Sequence, residues 1–134
     1  MTNMNQLNQF VRNPLLASVA VRKGLSYKTL EITATLLNRT PAQVADVIGV
    51  PSSTLARRRL AKRLSAEESD RLYRLLRVAD LASEVLGSQE RANAWLNGSK
   101  LALSNAVPLE LLDTDAGATA VETLLHQISE GLFV

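Results

Sequence analysis

The sequence predicts an all-α protein in which a helix-turn-helix N-terminal lobe is joined by one long helix to a small helical C-terminal lobe. Two patterns carry this prediction. Residues 41–63 have the apolar spacing of two short helices joined by a tight turn. Residues 65–87 begin with a capping box and end with a glycine, as a long helix does. No two segments show the alternation of apolar and polar residues that would indicate paired strands.

The first 24 residues are predicted to form an N-terminal segment that is partly disordered. Residues 1–14 are rich in Asn and Gln and end in Asn13-Pro14, a composition that favours disorder. Gly24 then separates a short apolar segment, residues 15–21, from the helix-turn-helix lobe.

The helix-turn-helix lobe is assigned to residues 25–64, and its first helix is predicted over about residues 26–37. Ser26 is a suitable N-cap residue, because its hydroxyl can accept a hydrogen bond from a free backbone N–H. Leu30 and Ala34 recur at helical spacing and are predicted to face the core.

Two short helices joined by a turn are predicted next. Pro41 suits a first helical turn, because its missing N–H would have no helical partner there, and Gly49 ends the first of the two helices. The second helix is predicted to bury Leu60 and Leu64. The apolar residues expected to hold the pair together are Val44, Ile48, Val50 and Leu55.

The second helix carries a dense cluster of cations. Such runs are usually solvated surface, but in a helix-turn-helix the N-terminal residues of the second helix meet base edges in the major groove. We therefore interpret Ser52, Ser53 and Arg57 as base-reading residues. Because successive residues turn by about 100°, the cations cannot all face one groove, and the others are expected mainly to contact phosphate. The predicted DNA-binding set is Ser52, Ser53, Thr54, Arg57, Arg58, Arg59, Lys62 and Arg63.

The strongest helix signal begins at Ser65 and Glu68, which form a capping box. An apolar stripe continues from there at helical spacing, and Gly87 ends it. At about 1.5 Å per residue this helix is about 30 Å long, and it is predicted to link the two lobes. The stripe consists of Leu72, Leu75, Leu76, Ala79, Ala82, Val85 and Leu86.

The second domain is assigned to residues 65–134. After the long helix, a shorter helix is predicted to begin near Ser88, to carry Trp95 and to end at Asn97-Gly98. Residues 99–107 are expected to be irregular.

The end of the chain is predicted to hold a helical turn and one further helix. The turn is expected over residues 108–112, and either Asp113 or Thr114 caps the last helix, which stops before Gly131. Its apolar positions are Val121, Leu124, Leu125 and Ile128.

Charge is divided unequally along the chain. Residues 1–63 hold ten Lys or Arg and two acidic residues, a net charge of +8. Residues 64–134 hold five Lys or Arg and eleven acidic residues, a net charge of −6. Phosphate attracts the first part and repels the second, so two separate roles are the simplest interpretation.

Composition argues against several classes of function. The chain has no cysteine, which excludes disulfides and thiol catalysis, and its single histidine, His126, has no partner that would suggest a metal site or a catalytic triad. The serines at 52 and 53 lack an activating base, and no glycine-rich phosphate loop is present. We therefore predict no enzyme activity, no cofactor, no metal and no small-molecule substrate. With no signal peptide and no long apolar run, we expect a cytoplasmic protein with no membrane partner.

A second group of candidates lies in the acidic part. Trp95 is either core or an interface anchor, and Leu101 and Leu103 are open to the same two interpretations. The tail is apolar at a chain end, and it either docks on its own core or inserts into a partner. Its residues are Gly131, Leu132, Phe133 and Val134.

These features together resemble a known family. The matching stretches are Val44-Ala45-x-x-Ile48-Gly49, Thr54-Leu55-x-Arg57-Arg58, Leu64-Ser65-x-x-Glu68-Ser69 and Ala92-x-x-Trp95-Leu96. Their order resembles that of the Xre/MbcA/ParS antitoxins over residues 25–134. The later positions are similar to the toxin-binding domain of that family: Pro108-Leu109-x-Leu111-Leu112-Asp113-Thr114-x-x-Gly117, Val121-x-x-Leu124 and Gly131. The chain departs from the family at Ser99 and Asn105, where proline and glycine are usual.

The resemblance implies partners that composition does not name. Antitoxins of this family bind and inhibit RES-domain toxins, which deplete NAD, and commonly repress their own operon. The implied partners are a cognate RES-domain toxin and operator DNA, with the chain forming a homodimer or a larger hetero-oligomer with the toxin. The family also implies that the last helix and the tail cover the entrance of the toxin's active site. The predicted toxin-binding residues are Trp95, Leu101, Leu103, Gly131, Leu132, Phe133 and Val134.

An alternative is a stand-alone helix-turn-helix repressor whose C-terminal lobe dimerises or senses a ligand. A RES-domain protein encoded in the neighbouring reading frame would favour the antitoxin, and a lone gene would favour the repressor.

Overall fold

The computed structural model describes residues 4–132, and the side chains of residues 7–132. It confirms the all-α prediction, since the described residues form helices joined by short connections. The α-helices are α1 (Met4–Arg12), α2 (Pro14–Lys23), α3 (Tyr27–Leu36), α4 (Pro41–Val47), α5 (Ser52–Ala61), α6 (Ala66–Leu86), α7 (Gln89–Leu96) and α8 (Asp115–Ser129). Two 3₁₀ helices, Leu101–Leu103 and Pro108–Leu111, lie between α7 and α8. Among the described helices, none is long and apolar enough to cross a membrane.

The N-terminal segment differs from the prediction. Disorder was expected over residues 1–14, but residues 4–12 form α1, which packs on α6. Leu7, Phe10 and Val11 are buried, and the Phe10 ring meets the Tyr73 ring edge-on with 5.3 Å between centroids. The prediction was wrong because the Asn and Gln content hid three apolar residues at helical spacing. Residues 1–3 lie outside the described part.

α2 is fixed at both ends. At its start the Asn13 side chain accepts a hydrogen bond from the Leu16 N–H at 3.1 Å, and Pro14 occupies the first helical turn. At its end Gly24 has φ of +88°, and a Cβ there would clash with the Leu64 carbonyl oxygen. Only glycine allows the chain to turn so close to this backbone.

The helix-turn-helix elements form where the sequence predicts them. Ser26 caps α3, and Thr40 and Gln43 form a capping box at α4. Leu55 is half-buried against the core. Leu60, however, was wrongly predicted to be buried and is 85% exposed, because α5 turns only its Leu55 side toward the core. The apolar side chains that are buried as predicted are Val44, Ile48, Val50 and Leu64.

α6 is the centre of the fold. The predicted capping box is present, since the Ser65 hydroxyl accepts from the Glu68 N–H and the Glu68 carboxylate accepts from the Ser65 N–H. α6 packs against α1, α2, α7 and α8, so it belongs to both lobes. Its 21 residues give a length of about 32 Å. Gly87 ends it in the left-handed conformation, as predicted.

The C-terminal lobe packs α7 and α8 on the second half of α6. Arg77 and Glu122 join α6 to α8 through two hydrogen bonds of 3.2 and 3.0 Å. α8 begins at the Thr114 cap, and Gly117 lies so close to Leu111 that a Cβ would clash with the carbonyl oxygen. Gly117 therefore sets the distance between α8 and the second 3₁₀ helix.

Candidate functional sites

α5 presents an exposed polar surface. None of its side chains is fully buried, and Ser52, Ser53 and Arg57 are all exposed. The Arg57 guanidinium donates to the Thr54 hydroxyl at 3.2 Å, which steadies it within the first turns of the helix. The three predicted base-reading side chains are thus accessible at the start of a helix, as recognition of base edges requires. We call α5 the recognition helix.

Two further cations extend this surface toward α3. Arg59 and Lys62 line a shallow cavity of about 360 Å³ together with Tyr27, Lys28 and Glu31. Lys28 was not among the predicted DNA-binding residues, because it is distant in sequence and only the fold brings α3 beside the end of α5. It adds a third amine or guanidinium cation at this position.

Arg58 and Arg63 make bonds within the chain. Arg58 Nε donates to Glu68 Oε1 at 2.8 Å, and the pair is largely buried. Arg63 Nη1 donates to the carbonyl oxygens of Lys23 and Gly24, both at 2.9 Å. One arginine therefore ties the recognition helix to α6, and the other ties the segment after it to the end of α2.

Glu68 is the buried acid at this junction. Burial alone would raise the pKa of its carboxyl group, but the hydrogen bonds from the Arg58 guanidinium and the Ser65 N–H hold that pKa below its ordinary value. The carboxylate accepts from Ser65 N and from Arg58 Nε at 2.8 Å each. Glu68 is thus charged in the fold and serves the cap of α6 and the recognition helix together.

A different surface lies at the far end of α6. A cavity of about 420 Å³ opens there between α6, α7, the first 3₁₀ helix and α8. Leu101 stands at this cavity with 84% of its surface exposed. We call the lining residues the C-terminal apolar surface, namely Leu86, Trp95, Ser99, Lys100, Leu101, Ala102, Leu124 and Ile128.

The structure places two more of the predicted toxin-binding residues relative to this surface. Trp95 is half-buried: it packs against the core and also lines the cavity. Leu103 is half-buried and packs against the core. It is not among the residues that line the cavity.

Lys100 is the only lysine or arginine among residues 92–132. Its Nζ lies 5.2 Å from the centroid of the Trp95 ring, where a cation and an aromatic face attract each other. Gly98 leaves room for this amine, because a Cβ at Gly98 would lie 3.2 Å from Nζ. Burial lowers the pKa of Lys100 from its ordinary value.

The tail begins three residues after Ile128, which lines that cavity. Gly131 is left-handed, with φ of +77°, and its N–H donates to the Ile128 carbonyl at 3.0 Å. The Leu132 N–H donates to the Gln127 carbonyl at 2.9 Å, which completes a Schellman motif. Leu132 is 63% exposed, so it does not dock on the core. Phe133 and Val134 lie outside the described residues.

The two surfaces lie at opposite ends of α6. Glu68 contacts the recognition helix, and Leu86 lines the C-terminal cavity. The 18 residues between them span about 27 Å along the helix axis. Among the side chains that the structure describes, no cluster of three or more His, Asp or Glu could hold a metal ion, and His126 is exposed.

Comparison with known proteins gives consistent relatives. The chain is 40% identical over 68 residues to antitoxin Xre of Pseudomonas putida, a match that covers 51% of this chain and 43% of that protein. It is 29% identical over 116 residues to antitoxin Xre of Yersinia enterocolitica, covering 85% and 78%. Antitoxin Xre of Photorhabdus laumondii is 31% identical over 88 residues, covering 64% and 60%. The matches thus span less than two thirds of the Pseudomonas and Photorhabdus proteins.

Two family models match the chain, one over the part with the recognition helix and the other over the part with the C-terminal apolar surface. Residues 17–77 match the antitoxin Xre-like helix-turn-helix domain, which contains the recognition helix. Residues 81–131 match the antitoxin Xre/MbcA/ParS C-terminal toxin-binding domain, which contains the C-terminal apolar surface. With both family models matched and three relatives that bear the same name, the chain belongs to the Xre/MbcA/ParS family of antitoxins.

Proposed function

We propose that this chain is an antitoxin that inhibits an NAD-degrading RES-domain toxin and represses its own operon, in the cytoplasm. The observation that carries the proposal is the separation of two unlike surfaces by the length of α6. A recognition helix with exposed cations suits DNA, and an apolar surface in an acidic lobe suits a protein. A partner bound at one end leaves the other end free, so one chain can hold both.

The C-terminal apolar surface is the proposed toxin-binding site. Leu101 is an apolar side chain that is almost fully exposed in the free chain, and the large aromatic side chain of Trp95 lines the same cavity. The Schellman motif fixes the backbone of Gly131 and Leu132 at the end of α8. We assign the tail, residues 131–134, to cover the entrance of the toxin's active site.

The recognition helix is the proposed operator-binding element. Ser52, Ser53 and Arg57 read bases, and Arg59 and Lys62 contact phosphate. Arg58 and Arg63 position the helix through their bonds to Glu68 and to the end of α2. Because helix-turn-helix proteins commonly read palindromes, we further propose that the chain acts as a homodimer on DNA.

Truncation of the tail tests the inhibitory role. A chain ending after Ser129 keeps the whole of α8, so it should fold, while cells that co-express the neighbouring gene product should lose protection. Circular dichroism and thermal unfolding serve as the folding control. Full protection by the truncated chain would refute the role of the tail, and absence of any complex between the full chain and the neighbouring gene product would refute the antitoxin proposal.

A further inference from the structure

α2 exposes an apolar ridge that the fold does not use. Leu15, Leu16 and Val19 are 78%, 48% and 46% exposed. They make up half of the large apolar side chains that are exposed in the described part of the chain, the others being Leu60, Leu101 and Leu132. Apolar side chains clustered in this way on a surface commonly mark an interface.

The ridge lies opposite the face of α2 that packs on the core. Ala17 is buried, and Val21 is half-buried against the core. At about 100° per residue, Leu15 and Val19 point away from that face, with Leu16 beside them. The Asn13 cap and the Arg63 bonds fix both ends of α2, so the ridge is held in place without a partner.

We propose that this ridge pairs with the same ridge of a second copy, antiparallel, across a two-fold axis near the middle of α2. The charges favour this partner and this direction. Arg22 and Lys23 are exposed at one end of the helix. At the other end Asp80 pairs with Arg12 at 3.1 Å, and Glu84 lies one helical turn beyond Asp80 on α6, so two acids accompany one base. Antiparallel pairing brings opposite charges together, whereas parallel pairing would place like charges together.

The pairing also suits the proposed binding to operator DNA. The choice of a two-fold axis rests on that proposed function, because palindromic half-sites are related by the same symmetry. The end of α2 is tied to the segment after the recognition helix by Arg63. A two-fold axis at the middle of α2 separates the two copies of Gly24 by about 17 Å along the helices, at about 1.5 Å per residue. Each recognition helix adds about 15 Å of its own length. These dimensions allow two recognition helices to reach half-sites about 34 Å apart.

The size of the ridge sets the strength of the dimer. Two ten-residue helices bury less than the roughly 800 Å² per partner of a standard interface. The free dimer is therefore expected to be weak and concentration-dependent. DNA that carries two half-sites holds two copies side by side and strengthens the pairing.

Sedimentation equilibrium of the full chain tests the ridge directly. Wild type should self-associate as its concentration rises, and Val19→Glu should raise the dissociation constant at least about tenfold, since it places two like charges at the axis. Ser18→Glu is the matched control, because it adds the same charge to an exposed position of the same helix but off the ridge. Equal association by wild type and Val19→Glu would overturn the proposal.

Single-cysteine variants give a second measurement that does not depend on disrupting the ridge. The chain has no cysteine, so one introduced thiol reports on one position. Under mild oxidation Val19→Cys should form a disulfide-linked dimer, because a disulfide needs Cα atoms about 4.4–6.8 Å apart. Thr119→Cys, on the exposed side of α8, should stay monomeric. Equal cross-linking at both positions, or at neither, would count against the ridge.

A DNA-binding assay separates this proposal from the proposed function. The probe is the DNA upstream of this chain's own gene, whole and cut to a single half-site. Val19→Glu should bind the half-site as wild type does and lose cooperativity on the whole fragment. Unchanged cooperativity would overturn the ridge. If neither chain binds DNA, the operator-binding proposal fails while the sedimentation result still decides the ridge.

Discussion

Arg58 of the recognition helix donates from Nε to Glu68 Oε1 at 2.8 Å, and the same carboxylate oxygen accepts the Ser65 N–H at 2.8 Å. One acid thus closes the capping box of α6 and holds the helix that is proposed to read DNA. Because α5 has no fully buried side chain, this polar contact adds to the packing of Leu55 in holding the helix in place.

Glu68→Gln should lower the free energy of unfolding by about 1 kcal/mol at neutral pH, because the bonds to Arg58 and Ser65 lose their charge assistance. The loss should depend on pH. The pKa of Glu68 is lowered in the fold, so the stability that the charge contributes is present above its ordinary pKa of 4.5 and is lost as the pH falls through the lower folded value. Chemical denaturation of wild type and variant from pH 7 to pH 3 should therefore show a difference that narrows in acid.

The control for this change is Glu67→Gln, which removes the neighbouring charge from an exposed position in the same helical turn. It should alter stability by much less. A Glu68→Gln deficit that stays constant or widens toward pH 3 would contradict the role assigned to the carboxylate.

Arg57→Ala and Lys62→Ala should affect DNA binding in different ways. Loss of Arg57 should relax sequence preference, since an arginine bonded to guanine contributes about 1–3 kcal/mol of discrimination. Loss of Lys62 should weaken binding to all sequences alike. It should also reduce, by about one, the slope of the logarithm of the binding constant against the logarithm of the salt concentration. Titrations of a specific and a scrambled duplex at several salt concentrations measure both effects. Identical behaviour of the two variants would argue against the division into base-reading and phosphate-contacting residues.

Gly117→Ala should destabilise the C-terminal lobe by about 1–3 kcal/mol, because the added Cβ would clash with the Leu111 carbonyl and α8 would have to shift. Gly98→Ala is the matched control. Its Cβ would meet only the flexible end of Lys100 at 3.2 Å and the Ala94 carbonyl oxygen at 3.6 Å, so it should be tolerated. Thermal unfolding compares the two variants. Equal unfolding temperatures for the two variants would show that the close approach of α8 to Leu111 does not require glycine at position 117.

Leu101→Glu should weaken the complex with the neighbouring gene product at least about tenfold and leave stability nearly unchanged, because the side chain is 84% exposed in the free chain. Thr119→Glu places the same charge on an exposed position of α8, about 140° around the helix from the cavity-lining Leu124, and should bind normally. Isothermal titration calorimetry gives both affinities. A Leu101→Glu chain that binds as tightly as wild type would place the toxin elsewhere.

Local signals predicted most of the fold. Capping residues and glycines act within a few positions of one another, so Ser26, Ser65, Ser88 and Thr114 mark the helix starts that the structure shows. The spacing of apolar residues also identified the core of α6. Leu60 was misjudged by the same rule, because helical spacing alone does not show which side of a short helix meets the core.

The positions of the site residues depend on contacts between distant parts of the chain. Arg63 bonds to backbone carbonyls about 40 positions earlier, and Lys28 joins Arg59 and Lys62 only because α3 lies beside the end of α5. Trp95 packs against the core and also lines an open cavity, whereas the sequence alone offered a choice between a core residue and a surface residue. These relations follow from the assembled fold, and no pattern within one helix contains them.

Inhibition of an NAD-degrading partner is the main role proposed for this chain, and NAD consumption by the purified neighbouring gene product, measured as this chain is added, tests it without intermediaries. NAD should be consumed in the absence of the chain, and consumption should stop when the chain reaches the stoichiometry of the complex. Consumption that continues unchanged in the presence of excess full-length chain would contradict the proposed inhibition.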